Sequence, residues 1–260
     1  MQIFLNYTFL LKSYIIFMVV SMEQIRKLES MIHECNHIVF FGGAGVSTES
    51  GIPDFRSKDG LYHMNYEFPP ETILSHSFFF NNMDYFFKFY REKMNSLNTK
   101  PNICHRFLTK LEKSGKLETI ITQNIDGLHQ KAGSKKVLEL HGSIYHNYCM
   151  KCHQEYSAKY LFYEKGIPIC KCGGIIKPSV ILYEEPLDSN VIEKSISAIE
   201  KADLLIIAGT SLTVYPANSF IHYFHGKYLV VINKEKIQYN IKPDLMIQKN
   251  LGDVFSKIKL

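Results

Sequence analysis

Tryptophan does not occur in the 260 residues, although Tyr and Phe are plentiful at 16 and 18. With abundant Lys, Asn and Ile, that usage points to codon bias in an AT-rich genome. Internal repeats and low-complexity linkers are also missing, which sets repeat architectures aside. Strong charge of either sign is absent too. The net charge is +5 and the lysines are spread along the chain, the pattern of a solvated surface rather than of a nucleic-acid stripe. Hydrophobic content of 46% and charged content of 21% place the chain among globular sequences. Its length suffices for one large domain, or for one with a small insert.

Residues 1–21 lack the basic start and the small-residue cleavage site of a signal peptide. They are apolar, but Asn6 and Ser13 sit inside the run and Lys12 falls near its centre. A membrane span needs about 20 mainly apolar residues, and a central lysine is costly there. Membrane contact by this leader is therefore not expected. From Met22 onward Ile25, Leu28 and Ile32 recur on one helical face, so the domain is expected to span residues 22–260. The leader is then a misassigned start or a tail.

A disulfide framework is missing as well. Of six cysteines, Cys35 and Cys104 stand alone, while Cys149, Cys152, Cys170 and Cys172 fall within 24 positions. That distribution suits a metal site in a reducing, cytoplasmic compartment. Cys149-x-x-Cys152 and Cys170-x-Cys172 are separated by 17 residues. Thiolates paired on tight turns can share one tetrahedral Zn²⁺, and with all four positions filled by sulfur the ion is structural rather than catalytic. Residues 146–174 are thus expected to form a small zinc-ribbon insert. A redox dithiol is the other reading.

What the chain does have is a glycine turn with unusual neighbours. The apolar run His37 to Phe41 reads as a buried parallel strand. Gly42, Gly43 and Gly45 then turn the chain, and a helix is expected to start at Ser47 or Thr48. Strand, glycine turn and helix form the layout that holds a pyrophosphate on backbone N–H groups. The G-x-G-x-x-G fingerprint nevertheless fails, because Thr48 stands where the third glycine belongs. Pro53-Asp54-Phe55-Arg56 follows directly.

Further apolar strands are expected at 117–122, 137–140, 175–183, 203–208, 228–232 and 244–247, with helices between them. Several end in polar clusters: Gln123-Asn124-Ile125-Asp126, His141-Gly142, Gly209-Thr210-Ser211 and Asn233. Polar groups at the carboxyl ends of parallel strands are where open α/β sheets bind ligands. The fold expected is α/β, a Rossmann-type doubly wound parallel sheet. Residues 57–104, with one aromatic helical stretch from Phe78 to about Leu97, pair with the cysteine block as a small zinc-ribbon and helical lobe. Those aromatics read as core.

These motifs in this order, from Met22 to Leu260, resemble the sirtuins, NAD-dependent protein lysine deacylases. The resemblance implies a Rossmann-type NAD domain, a structural zinc lobe, and an acetyl-lysine peptide lying as an extended strand between them. It implies that Ala44, Gly45, Thr48, Phe55 and Arg56 contact NAD. Gln123 meets the nicotinamide ribose, and Ile125 and Asp126 hold the carboxamide. Thr210 and Ser211 meet phosphate and ribose, Asn233 the adenine ribose and Asp253 the adenine. Residues Val180 to Tyr183 and Val214 to Tyr215 flank the peptide. Phe55, Ile125 and Val180 line a dry acyl tunnel.

His141 is the implied general base, taking a proton from a ribose hydroxyl after nicotinamide has left, with Asn124 positioning ribose or water. The products are nicotinamide, O-acetyl-ADP-ribose and deacetylated lysine. Two departures stand out. Tyr183-Glu184-Glu185 replaces the frequent Phe-Gly-Glu. Phe87 and Tyr90 stand where relatives that remove succinyl or malonyl groups carry Tyr-x-x-Arg, so neutral acyl groups are expected. Mono-ADP-ribosyl transfer and a zinc-ribbon nucleic-acid module are the competing functions, the second opposed by the lack of a basic and aromatic stripe.

Overall fold

Ile38–Gly42 (β1) is buried at every position, as a strand covered on both faces must be. Alternation along it sends Ile38 and Phe40 into one apolar cluster and Val39 and Phe41 into another, because successive side chains point to opposite faces. The structure, a computed structural model, describes residues 22–55, 60–63, 66–235 and 242–260. The leader 1–21 and Arg56 lie outside the described residues.

The elements run as α1 (22–34), β1, α2 (Pro70–Ile73), α3 (His76–Asn81), α4 (Met83–Lys93), α5 (Ile103–Lys113), β2 (Leu117–Thr122) and α6 (Leu128–Ala132). Then come β3 (Val137–Glu139), β4 (His146–Cys149), β5 (Glu155–Ser157), α7 (Ala158–Tyr163), β6 (Ile176–Pro178) and α8 (Ser189–Glu200). β7 (Leu204–Ala208), a 3-10 helix Ala217–Tyr223, β8 (Tyr228–Ile232), β9 (Leu245–Ile247) and α9 (Leu251–Phe255) complete the chain.

Six strands form a parallel sheet in the order β3-β2-β1-β7-β8-β9. On one face Phe40, Ile120, Ile206 and Val230 pack against α1, α5 and α9. On the other, Phe41, Ile121, Leu205 and Ile207 meet Ile199 of α8 and Phe220 and Ile221 of the 3-10 helix. This is the doubly wound α/β arrangement expected. A second sheet, β5-β4-β6, is antiparallel. It shares one apolar cluster with α2, α3, α4 and α7, in which Phe79, Phe86, Phe87 and Tyr90 are fully buried.

Three expectations need correction. The stretch 175–183 is not a strand of the parallel sheet. Ile176–Pro178 pairs antiparallel with β4, and Pro178, which has no N–H, ends the regular ladder. The aromatic helix is two helices, broken at Asn82 with φ −142° and ψ 51°. Third, no α-helix follows the glycine turn. Ala44–Val46 and Thr48–Ser50 are single 3-10 turns, and Gly51 closes the second at φ 89°. Pro53 disfavours helical backbone at Ile52, so the segment has no room for a helix.

Candidate active site

The strand order reverses between β1 and β7, so their carboxyl ends open a crevice of the kind in which α/β sheets hold ligands. Two turns meet there. The Gly45 N–H donates to the Gly209 carbonyl at 2.8 Å, and the Gly43 N–H to the Ala208 carbonyl at 3.2 Å. A Cβ on Gly45 would lie 2.7 Å from the Gly209 Cα, and Gly209 itself has φ 58°. Only glycine allows both the approach and that conformation.

From β2, Gln123 reaches into the same place, its Oε1 accepting from the Thr210 hydroxyl at 2.9 Å. The Gln123 Nε2 is buried and has no partner among the described residues. A buried amide donor without a partner is costly. A ligand rich in acceptor oxygens, such as a dinucleotide, fits that donor.

Beside Gln123, Asp126 is buried, and its Oδ2 accepts from the Ser47 hydroxyl at 2.6 Å. The Leu128 N–H donates to Oδ1 at 2.9 Å. Asn124 Nδ2 donates to the Ser47 hydroxyl oxygen at 3.1 Å, so Ser47 joins the glycine turn to the β2 end. Burial raises the Asp126 pKa, against the lowering effect of these two bonds. Ser47→Ala strands the carboxylate and the Asn124 amide together. The expected cost is about 1–3 kcal/mol in denaturant unfolding.

His141, beyond β3, places Nδ1 2.9 Å from the Gln123 carbonyl oxygen. A carbonyl only accepts, so Nδ1 carries the proton and Nε2 is the basic nitrogen of the neutral ring. Burial lowers the His141 pKa, opposed in part by the Gln123 bond. The imidazole is thus held neutral and in one tautomer, as a general base requires.

Three hydrogen-bonded sets, Gly45–Gly209, Thr210–Gln123–His141 and Asn124–Ser47–Asp126, thus meet through adjacent chain positions in one assembly. Ala44 and Ser211 are half-buried chain neighbours of it, and the Ser211 hydroxyl bonds that of Thr213 at 2.8 Å. Thr48 is exposed, with its hydroxyl turned back to the Gly45 carbonyl at 3.0 Å. Phe55 packs edge-on to Tyr62 at 5.6 Å and against the small sheet's cluster, as Ile125 does, where Val180 is buried.

Asn233 directly follows β8, its amide donating to the Glu235 carbonyl at 3.0 Å. Asp253 is exposed on α9, outside the assembly. Its neighbour Gly252 donates an N–H to Glu49 Oε2 at 2.7 Å, which ties α9 to the turn. Sequence reasoning did not single out Ser47, nor Asn102, whose amide holds the Val46 carbonyl at 2.7 Å. The signal available for Ser47 was its place directly after Gly45-Val46; nothing in the sequence marked Asn102.

The four clustered cysteines meet at the second sheet. Cys149 and Cys172 sulfurs lie 3.4 Å apart, Cys152 and Cys170 3.6 Å, and all four within 4.8 Å of one another. Disulfide sulfurs sit about 2.05 Å apart, so these are thiols. Sulfurs arranged tetrahedrally about 2.3 Å from Zn²⁺ are separated by about 3.8 Å, so the set fits one ion. The Lys151 and Cys152 N–H groups donate to the Cys149 sulfur, and the Tyr156 hydroxyl donates to that of Cys170 at 3.0 Å. These are the outer bonds that orient metal ligands. The Cys172 N–H and then the Tyr156 hydroxyl hold the Cys170 thiol below its ordinary range, which favours the thiolate form.

Where α2 approaches the segments after β6 and β7 lies a cleft of about 510 Å³, lined among others by Ser75, Tyr183, Glu184, Val214 and Tyr215. Of the segments expected to flank a peptide, Val214 and Tyr215 line this space, whereas from 180–183 only Tyr183 does, Val180 and Leu182 being buried in the small lobe's core. The Ile181 N–H donates to the His141 carbonyl at 2.9 Å, placing this cleft beside the imidazole's own backbone. Among the described residues no helix is long and apolar enough to cross a membrane.

The family model "Sir2 family" matches residues 43–216. The NAD-dependent protein deacetylase of Clostridium perfringens is 57% identical over 240 residues, covering 91% of this chain and 98% of that protein. That of Clostridium acetobutylicum is 53% identical over 241 residues, with the same coverage. Among solved structures, one described as a structural basis for the mechanism and regulation of Sir2 enzymes superposes with a TM-score of 0.82 at 36% identity, covering 91% and 96% of the two chains. A Sir2 complex with a p53 peptide and NAD+ gives 0.79 at 34%, covering 90% and 96%.

Proposed function

This chain belongs to the Sir2 family and is an NAD-dependent protein deacetylase, and from that premise we propose how its own residues carry the reaction. The Gly45–Gly209 crevice takes NAD, with Ala44, Thr48, Phe55, Arg56, Ser211, Asn233 and Asp253 as its outer contacts. Gln123 and Thr210 meet ribose and phosphate, and the Gln123 Nε2 gains its missing acceptor. Ile125 and Asp126 hold the carboxamide. NAD supplies a ribose carbon that becomes electrophilic as nicotinamide departs. His141 Nε2 accepts a proton from a ribose hydroxyl, while Asn124, fixed by Ser47, positions ribose or water.

One observation carries the assignment: the His141 Nδ1–H is pinned to the carbonyl of the residue whose side chain reaches the crevice. The acetyl-lysine peptide lies extended in the cleft between 180–183 and 214–215. Its acyl group enters the apolar cluster of Phe55, Ile125 and Val180, where Phe87 and Tyr90 are fully buried. An acidic acyl chain would bury a charge there, so acetyl and other neutral groups are the substrates. Residues 22–260 act as one catalytic unit, with 57–104 and 146–174 as its small lobe. Unpaired thiols at Cys35 and Cys104 support a cytoplasmic setting.

Mass spectrometry of an acetyl-lysine peptide incubated with and without NAD tests the activity. The expected result is loss of acetyl only with NAD, with acetyl-ADP-ribose formed in equal amount. Labelled ADP-ribose appearing on protein with no loss of acetyl would replace this reading with mono-ADP-ribosyl transfer.

A further inference from the structure

The charged residues that line the peptide cleft are acidic, on a molecule of net positive charge. The chain carries +5, yet Glu71 and Glu184 line the cleft, and no Lys or Arg among the described residues does. Glu184 is unusual in its backbone. Its φ of 73° is a left-handed conformation that favours glycine and is uncommon for other side chains.

What Glu184 provides in exchange is a fixed carboxylate. Its Oε2 accepts from the Ser77 N–H at 2.9 Å and the Ser77 hydroxyl at 2.6 Å. Both bonds fall on one oxygen. The other remains able to accept from a ligand, and the two bonds keep the group ionised by lowering its pKa. Two exposed tyrosines line the same cleft: Tyr183, whose hydroxyl meets that of Tyr62 at 3.0 Å, is 38% exposed and Tyr215 78%. A carboxylate and exposed aromatic rings in one cleft attract a cation by charge and by ring quadrupole.

We infer that Glu184, in a cleft it shares with Tyr183 and Tyr215, makes this enzyme select acetyl-lysine sites with an unmodified Lys or Arg close by in the same extended segment. The inference rests on the reading that this cleft holds the peptide. Glu184 acts on specificity here, not on chemistry, so the effect belongs to KM rather than kcat.

The test uses peptides identical except for Arg, Ala or Glu beside the acetyl-lysine. For the unaltered enzyme, kcat/KM for the Arg peptide should exceed that for the Glu peptide by about fivefold or more. The difference should lie in KM and shrink as salt rises. Glu184→Gln keeps the acceptor for Ser77 and removes the charge, and within that variant the ratio should fall below about twofold. Taking the ratio inside one variant cancels any general loss of activity.

A ratio near one in the unaltered enzyme, or one preserved in Glu184→Gln, overturns the inference. Thr72→Trp, which fills the cleft from α2, separates the two levels. If it raises KM for every peptide while Glu184→Gln keeps the ratio, the specificity inference alone fails. If it leaves every KM unchanged, the peptide does not use this cleft and both readings fail.

Discussion

With His141 replaced by alanine, turnover of an acetyl-lysine peptide at saturating NAD falls by about two to four orders of magnitude. The argument begins at the Gln123 carbonyl, 2.9 Å from Nδ1. Because that bond fixes the proton on Nδ1, Nε2 is the one nitrogen able to take a proton, and alanine supplies no substitute. The loss is catalytic rather than structural, since alanine removes the ring but leaves the His141 carbonyl that accepts from Ile181. Unfolding midpoints should therefore move little. NAD binding should survive, because Gly45, Gln123 and Thr210 are untouched. A variant retaining more than about a tenth of the activity would remove His141 from the role of base, given the expected 10²–10⁴-fold effect.

The pH profile supplies an independent reading. As the proposed base, His141 acts with a neutral ring, so activity is expected above the folded-state pKa and should be lost as pH falls through it. Burial lowers that pKa. The acid limb of kcat/KM should therefore lie below the ordinary histidine value of about 6.5, and it should vanish in the residual activity of His141→Ala.

The sheet could be read from the sequence because its strands are buried on both faces. Ile38–Gly42 and Leu204–Ala208 are unbroken apolar runs, and such runs admit few other assignments. The meeting of the candidate site residues could be read for a related reason. Parallel strands deliver whatever follows them to one edge of the sheet, so polar residues after β1, β2, β3 and β7 converge wherever they stand in the chain. Cysteine spacing carried the metal centre because sulfur ligands on tight turns have few other uses in a reducing compartment.

What could not be read depends on tertiary contacts between distant residues. Ser47 is a hub only because Asp126 and Asn124, 79 and 77 positions away, close on it. Asn102 caps α5 and holds the Val46 carbonyl as well, and no local pattern signals the second task. The Ile175–Tyr183 stretch has strand composition, but composition does not state which sheet receives it. Its partner was decided by β4, held in place by the metal ligand Cys149. Glu184 is legible only after folding, because the Ser77 bonds that accompany its left-handed backbone come from α3.

Removing zinc, by chelation or by Cys170→Ser, should abolish deacetylation by at least about a hundredfold, although no cysteine belongs to the crevice. Zinc-nucleated folding units owe about 10–16 kcal/mol to the metal at neutral pH, a scale that makes the small antiparallel sheet dependent on it. β6 then transmits the loss. Lys177 on that strand is 5% exposed, and its Nζ donates to Glu185 Oε2 at 3.1 Å and to the Val180 carbonyl at 3.3 Å. Glu185 Oε2 also accepts from the Leu182 N–H at 2.9 Å, and its Oε1 lies 3.0 Å from His76 Nδ1. Burial pulls the Glu185 pKa upward, but the His76, Leu182 and Lys177 contacts outweigh it and keep the carboxylate charged.

Between these anchors, Ile181 donates to the His141 carbonyl. A sheet that melts at the cysteines therefore releases both the peptide wall and a hydrogen bond on the backbone of the proposed base. The parallel sheet should not follow, because neither cluster that covers it contains a residue of the cysteine block. Elemental analysis should find one zinc per chain in the active protein and none after chelation. Circular dichroism should keep most of its amplitude, and added Zn²⁺ should restore activity to the chelated enzyme. Zinc-free protein with full activity would break the link from metal to peptide wall. Complete unfolding on chelation would show instead that the two sheets stand or fall together, so that the metal stabilises the crevice as well as the cleft.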